Sequence, residues 1–575
     1  MERHSILFRN VRYMIFICLC MAVNQVCSQV RTESQALEIA ADFLNSQGIG
    51  NTTHLLCAGR KSDRLRTAAH SPYYIVNDNG NNVFVVVGGD DRMEKVLGFV
   101  RNATYTEGAV PDGLQWLLNE YQSQYEYIQN SGTYADAPAM FTYKYQDVAP
   151  LIKTQWAQSF PFNKYTPIVN GAASLAGCVA ISLAQVMNYY QYPYCGIDSI
   201  SYYTESDSFR LSCNFNDIRY YDWKNIKDDY WNIYTEMEED AVSRLVYACG
   251  ASVGMNYGNN FSSAYISDVA FALVNFYGYA PCADYCRRNY YPKDEWMEML
   301  HNELENKRPV IYGGQDEDDG GHCFIIDGVS HDKYFHINWG WDGYCDGYFQ
   351  LDALRPEAGM DYQYDQEAVM RISPTMVGTS PYVFYAENFE PITKSIYYSS
   401  SNVVTLKLND VYNFSQMCTS VLDTKYFKGS LALAQYNKSG KLVKTFCQYD
   451  VTRNKWSMYW GYGWFNFAFA SNEIKINRGD TCYIKPVMLR GNIVTPIRTS
   501  NYGETDYIVV TRKTSLQLQF FSAKEFEQAT AIQSIPVSSK RRGQNGCYTI
   551  DGNKYAEPQR GINIIDGRKV WNGLR

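Results

Sequence analysis

From Gly177 to Pro193 the chain reads GCVAISLAQVMNYYQYP. Residues 178–190 contain no Gly or Pro, and Pro193 closes the stretch, so the pattern predicts an apolar helix that begins at a cysteine. The start of a helix is the positive end of its macrodipole. There a thiol is expected to lose its proton more easily and so to be the reactive thiolate. Gly177 puts no side chain beside the sulfur, which is expected to let a substrate backbone come close. A buried structural cysteine is the alternative, so the nucleophile reading needs a base.

The stretch GGHCFIIDGVSHDKYFHINWGWDGYCDGYF (320–349) offers one. HCFIID and KYFHINW read as strands joined by a turn at GVSHD. A hairpin centred on Ser330 sets His322 opposite Asn338, and directly opposed residues share a face with Cβ atoms about 4.5–5.5 Å apart. An amide oxygen accepting the imidazole N–H would fix its tautomer and direction, the role of the third member of a Cys-His-Asn triad. A one-residue slip in register would undo the pairing. By alternation Cys323 should face away from His322, buried and inert. His336 falls opposite Phe324 as a packing or hydrogen-bonding residue, while His301 and His331 are expected at the surface. An oxyanion hole needs donors at the developing charge. The Cys178 N–H is one, and Gln155 or Gln158 in LIKTQWAQSFPFN is the other, with spacing not choosing between them.

The remainder of the chain sets the context. It has 575 residues, enough for three or four domains, and 50 tyrosines, which suits a largely β protein handling peptides or other extended ligands. A net charge of −8 without long basic blocks speaks against nucleic-acid binding. A basic start (Arg3, Arg9, Arg12) and the short apolar run YMIFICLCMAV read as a secretory signal over 1–28, too short to span a bilayer. A lipid anchor at Cys27 is the competing reading, though Asn24, Gln25 and Val26 suit one poorly. Once the signal is removed thirteen cysteines are left, an odd number, so at least one thiol is unpaired. With neither CxxC nor HExxH in the chain, no zinc site is expected.

After the signal, SQALEIAADFLNSQG reads as a helix capped by Ser34, followed by strands in PYYIVND and NNVFVVVGGDD and a second amphipathic helix in DGLQWLLNEYQSQYEYIQNS. The expected organisation is a small α+β unit over 29–135, a protease-accessible linker over 136–147, a catalytic domain over 148–375, an antiparallel β-sandwich over 376–536, and a linker with a short two-hairpin tail over 537–575. The overall class is α+β.

GCVAISLAQVMNYYQYP, GGHCFIIDG and HINWGWDGYCDGYFQLDAL together closely resemble the streptopain-like cysteine proteases, over about 148–375. The resemblance implies a papain-like fold, with Cys178 as nucleophile, His322 as base, Asn338 orienting the ring and Trp339 shielding it. It matches AQSFPFN to the family's oxyanion segment and so selects Gln158. It makes Ser263 and Gly321 substrate-backbone contacts, and it implies an apolar preference at the second residue before the scissile bond. The acidic loop YGGQDEDDGGH is expected to be mobile and to bias which substrates approach. ALEIAADFLN, NVFVVVGGDDRMEKVLGFV and VPDGLQWLLNEY resemble the family's inhibitory propeptide, implying a zymogen whose prodomain displaces the histidine or blocks the cleft. The tail CYTIDGNKYAEPQRGINIIDGRKVWNGLR resembles type IX sorting tails, implying secretion and attachment at the cell surface. The expected function is therefore a secreted, self-inhibited cysteine endopeptidase, acting on protein or peptide substrates through a thioester and needing no metal or organic cofactor. A transamidase with the same triad, or an adhesive surface protein with a vestigial protease module, are the alternatives.

Overall fold

The computed structural model describes residues 30–50, 55–59, 71–131, 146–205, 209–316, 320–351, 366–375, 384–412, 426–454, 464–500, 506–513 and 516–526, and four short strands between 547 and 572. The signal stretch and most of the linker lie outside these residues, as do three residues of the acidic loop. The chain divides into two compact units, with the boundary after Val383.

The first unit opens with helix α1 (Glu33–Ser46). Its cap is Thr32, not Ser34: the Thr32 hydroxyl accepts from the Gln35 N–H, and the Gln35 side chain accepts from the Thr32 N–H, a reciprocal capping box two residues earlier than expected. Strands β1 (Leu55–Gly59), β2 (Tyr73–Asp78), β3 (Val83–Gly88) and β4 (Val96–Arg101) pair antiparallel in that order. Helix α2 (Asp112–Ser131) follows.

Next come helix α3 (Cys178–Tyr190), α4 (Glu236–Ser252), α5 (Ile266–Asn275), strand β5 (Asp284–Arg287) and α6 (Lys293–Glu305). Strands β6 (Val310–Asp316), β7 (Gly320–Val329), β8 (Phe335–Asn338), β9 (Gly347–Phe349) and β10 (Glu367–Met370) complete the unit. Helix α3 begins at Cys178 as expected, and Gln191 in the left-handed conformation closes it two residues before Pro193.

A single sheet joins both halves of this unit. Its order is β1-β2-β3-β4-β9-β8-β7-β6-β10-β5, so the N-terminal strands extend the sheet that carries the His322 hairpin. The seam is the β4–β9 pair, Gly98 opposite Phe349 and Val100 opposite Gly347. Gly98 is required there, because a Cβ would come within 2.3 Å of the Phe349 ring. Phe99 stacks on Tyr348 at 5.3 Å, and the buried Tyr121 hydroxyl of α2 donates to both Leu97 O and Gln350 O across the seam.

His301 is fully buried rather than at the surface, because it lies on the face of α6 that also buries Trp296, Leu300 and Leu304. His331 is exposed at its turn. Cys178, Cys323 and Cys345 are among the described cysteines that carry free thiols.

The second unit is a ten-stranded β structure with antiparallel pairing, apart from one parallel pair between Phe384–Ala386 and Ile497–Thr499. Strand Phe384–Pro391 also packs on Ile508–Thr511 and Gln517–Ser522, so the two halves of the sheet fold over one another. The tail forms a four-stranded sheet from two hairpins, Cys547–Thr549 with Lys554–Tyr555 and Gly561–Ile565 with Arg568–Asn572.

Candidate active site

Cys178 is the first residue of α3, with Gly177 as its N-cap at φ 91°. Its thiol sulfur accepts from the backbone N–H groups of Cys323, Val179 and Cys178 itself. These donors favour thiolate, but desolvation outweighs them and the Asp112 charge adds to it, so the thiol is held above its ordinary pKa. The depression expected from the helix dipole is therefore not realised in this form. Gly177 also serves a different end from the one expected. Its positive φ and the Met255 side chain, 2.6 Å from where a Cβ would sit, call for glycine, and that space is not open to substrate.

The hairpin departs from its predicted register. Ser330 N donates to Tyr334 O, and Lys333 takes a φ of 68°, which lengthens the turn. Val329 then pairs with Phe335 and Gly328 with His336. A bulge at Asp327 shifts the ladder by one, so Asn338 pairs with Ile325. This odd shift puts His322 and Asn338 on opposite faces of the sheet. The bulge is held in place by a buried carboxylate: Asp327 lies 2.6 Å from His336 Nδ1 and accepts from the Ile152 N–H at 2.8 Å. His336 thus packs against Gly328 rather than Phe324.

On its other side β7 pairs with β6, His322 opposite Gly314 and Cys323 opposite Gly313. A Cβ at Gly314 would lie 2.2 Å from the Trp116 ring of α2, and one at Gly313 would lie 2.1 Å from Ile266 of α5. Position 322 therefore belongs to the α2 face. Position 323 belongs to the face of α3 and α5, where the Cys323 thiol bonds to Ser182 and lies near Cys178. Cys323 does face away from His322 and is buried, with its thiol pKa raised well above normal by desolvation. However, the face it occupies is that of Cys178.

Asn338 is buried and hydrogen-bonded at both ends of its amide. Its Oδ1 accepts from Gln185 Nε2 at 3.2 Å and Gly340 N at 3.0 Å, and its Nδ2 donates to Thr154 O at 2.8 Å. Gln185 in turn accepts from the Thr154 hydroxyl at 2.7 Å. Gln185 escaped the sequence reading, although a lone amide inside the apolar run of α3 was the available signal. Trp339 lies 5 % exposed between Phe324 and Phe349, its indole donating to Cys345 O.

Cys178, Ser263, Gly321, His322 and Cys323 line two adjoining cavities. One continues to Gln158, Trp339 and Trp341 and is entered by Pro111–Trp116 from the start of α2. The other, about 440 Å³, runs past Tyr202 and Val253 to Asp268. Gln158 thus lines the same cavity as Cys178, whereas Gln155 packs against Gly343.

Residues 156–349 match the peptidase C10 family, and residues 28–125 match the Spi protease inhibitor family. Streptopain of Streptococcus pyogenes is 28% identical over 57% of this chain and 86% of its own. The thiol protease/hemagglutinin PrtT of Porphyromonas gingivalis is 27% identical over 52% of this chain and 37% of its own. A solved fragment of Prevotella intermedia prointerpain A is 30% identical, covering 56% of this chain and all of that one, with a TM-score of 0.50.

Proposed function

This chain belongs to the peptidase C10 family, as a cysteine protease zymogen whose N-terminal inhibitor unit is its prodomain, and we propose that its nucleophile is Cys178, its base His322, its orienting amide Asn338 and its oxyanion donors the Cys178 N–H and Gln158. The observation that carries this assignment is that Cys178, His322 and Gln158 line one cavity that the prodomain also lines, through Pro111, Asp112, Gly113, Gln115 and Trp116. In the form described here the prodomain extends the catalytic sheet, and α2 fills the face that position 322 belongs to. Inhibition is then conformational as well as steric. His322 has to cross to the α3 face before it can take the thiol proton, and Asn338 Oδ1 has to exchange one of its present donors for the imidazole N–H.

Cleavage between 136 and 147 releases α2 and frees that movement. With the imidazole beside the sulfur, the thiolate attacks a peptide carbonyl and the oxyanion meets Gln158 and the Cys178 N–H. His322 then protonates the leaving amine, and water hydrolyses the thioester. Residues 29–135 are the prodomain in this scheme, 148–375 the catalytic domain and 376–536 the β-sandwich. Secretion follows from the apolar N-terminal run, and surface attachment from the tail hairpins. The test compares the processed enzyme with its Cys178→Ala variant on casein and with the unprocessed chain. Cleavage should vanish in the variant and be low in the unprocessed chain. Residual casein digestion by Cys178→Ala removes the assignment.

A further inference from the structure

The cavity of about 440 Å³ beside Cys178 holds a carboxylate that the mechanism leaves unused. Asp268 sits in the first turn of α5 and lines this cavity, and its carboxylate has no hydrogen-bond or ion-pair partner among the described residues. An acid in a helix's first turn favours the dipole. Here burial prevails, raising the Asp268 carboxyl to about 6. Glu205 lies at the cavity's exposed rim, and Glu367 lies deeper and accepts from the Tyr285 hydroxyl. Val179, Val253 and Ile266 give the walls apolar stretches, beside the uncharged polar side chains of Tyr202, Thr204 and Asn256. No Lys or Arg is among the described residues that line it. A long apolar stem with a cationic head matches such a site: the stem covers the walls and the head meets the carboxylate.

The cavity's place in the cleft says which substrate residue reaches it. The leaving amine departs toward the imidazole and its Trp339 shield, so the chain on the acyl side runs the other way, toward the cavity of Tyr202, Val253 and Asp268, which Trp339 does not line. We propose that this cavity takes a Lys or Arg side chain at the second residue before the scissile bond, with Asp268 as the residue that selects it. This extends the active-site assignment above and departs from the apolar preference implied by the family resemblance.

The test measures kcat/KM of the processed enzyme on fluorogenic peptides that differ only at that residue, which is arginine, its uncharged isostere citrulline, or leucine. Arginine should exceed citrulline by about tenfold in the unmodified enzyme, and Asp268→Asn should bring that ratio near one. Equal rates for arginine and citrulline in the unmodified enzyme overturn the proposal and need no variant to read. A tenfold preference for leucine over arginine, or an arginine advantage that survives Asp268→Asn, overturns it as well. Cys178→Ala, assayed alongside, separates the two claims: hydrolysis persisting there sinks the active-site assignment, whereas an inactive Cys178→Ala with equal arginine and citrulline rates sinks the specificity alone.

Discussion

Asn338 lies directly opposite Ile325 on β7, three residues from His322, and so on the opposite face of the sheet from it. In the assignment proposed above, strand geometry holds the triad apart, with the Cys178 thiol and the Asn338 amide on the α3 side and position 322 on the prodomain side. On that assignment the zymogen is expected to be inactive until β7 rearranges locally and brings His322 to the thiol's face.

Trp116 is the prodomain side chain that occupies the face of position 322; it is 1% exposed, and its ring fills the space above Gly314. Trp116→Ala should weaken prodomain seating by about 3–5 kcal/mol. The uncleaved chain should then hydrolyse casein measurably faster than the unmodified uncleaved chain, read before any processing is visible on a gel. Equal rates would mean that Trp116 does not hold the inactive arrangement.

Desolvation keeps the Cys178 thiol protonated in the zymogen. Alkylation by iodoacetamide at neutral pH, followed by peptide mass mapping, should label Cys178 slowly in the uncleaved chain. Removal of the prodomain should speed this labelling at least tenfold, as the imidazole arrives to stabilise thiolate. An unchanged rate would count against the displaced base.

Gln185 donates to Asn338 and accepts from Thr154 in a buried network. Gln185→Leu leaves the Thr154 hydroxyl and one Asn338 lone pair without their partner, at a cost of about 1–3 kcal/mol. The processed variant should lose kcat with KM little changed, as a positioning residue would, and its thermal midpoint should fall by several degrees. A loss of stability with kcat intact would make Gln185 purely structural.

A buried cluster links Asp327, His336 and Asp346 beneath the prodomain seam. Desolvation raises the Asp346 carboxyl to about 7, even though the His336 charge and the Trp339 N–H pull it down. Burial opposes protonation of His336, but the Asp327 charge prevails and raises its pKa. Both groups bind protons more tightly folded than unfolded. Their contribution is therefore present in acid and is lost as pH rises, from about 4 to about 7 for Asp346 and above about 6.5 for His336. Each proton adds a slope of about −1.4 kcal/mol per pH unit in its window. Urea midpoints of the Cys178→Ala chain between pH 4 and 7 should decline more steeply than those of Cys178→Ala with Asp346→Asn. Parallel curves would show that Asp346 does not carry the titration.

The sequence by itself determined the local elements and the chemistry they carry. Cys178 at the head of α3, the strands bearing His322 and Asn338, and both prodomain helices follow from apolar periodicity, caps and the Gly and Pro stops, all of which act over a few residues. Only the tertiary structure decided which face each side chain takes and what stands against it. The His322 register turns on one bulge, and that bulge depends on Asp327 meeting His336 and the Ile152 N–H, the latter 175 positions away in the chain. The shared sheet depends on Gly98 meeting Phe349, a pairing of strands distant in sequence. Asp268 is one more acid in a helix's first turn until Cys178 and Tyr202 close a cavity around it. Periodicity is written in neighbouring residues, whereas parity across a ladder and the burial of a charge depend on contacts that exist only once the chain has folded.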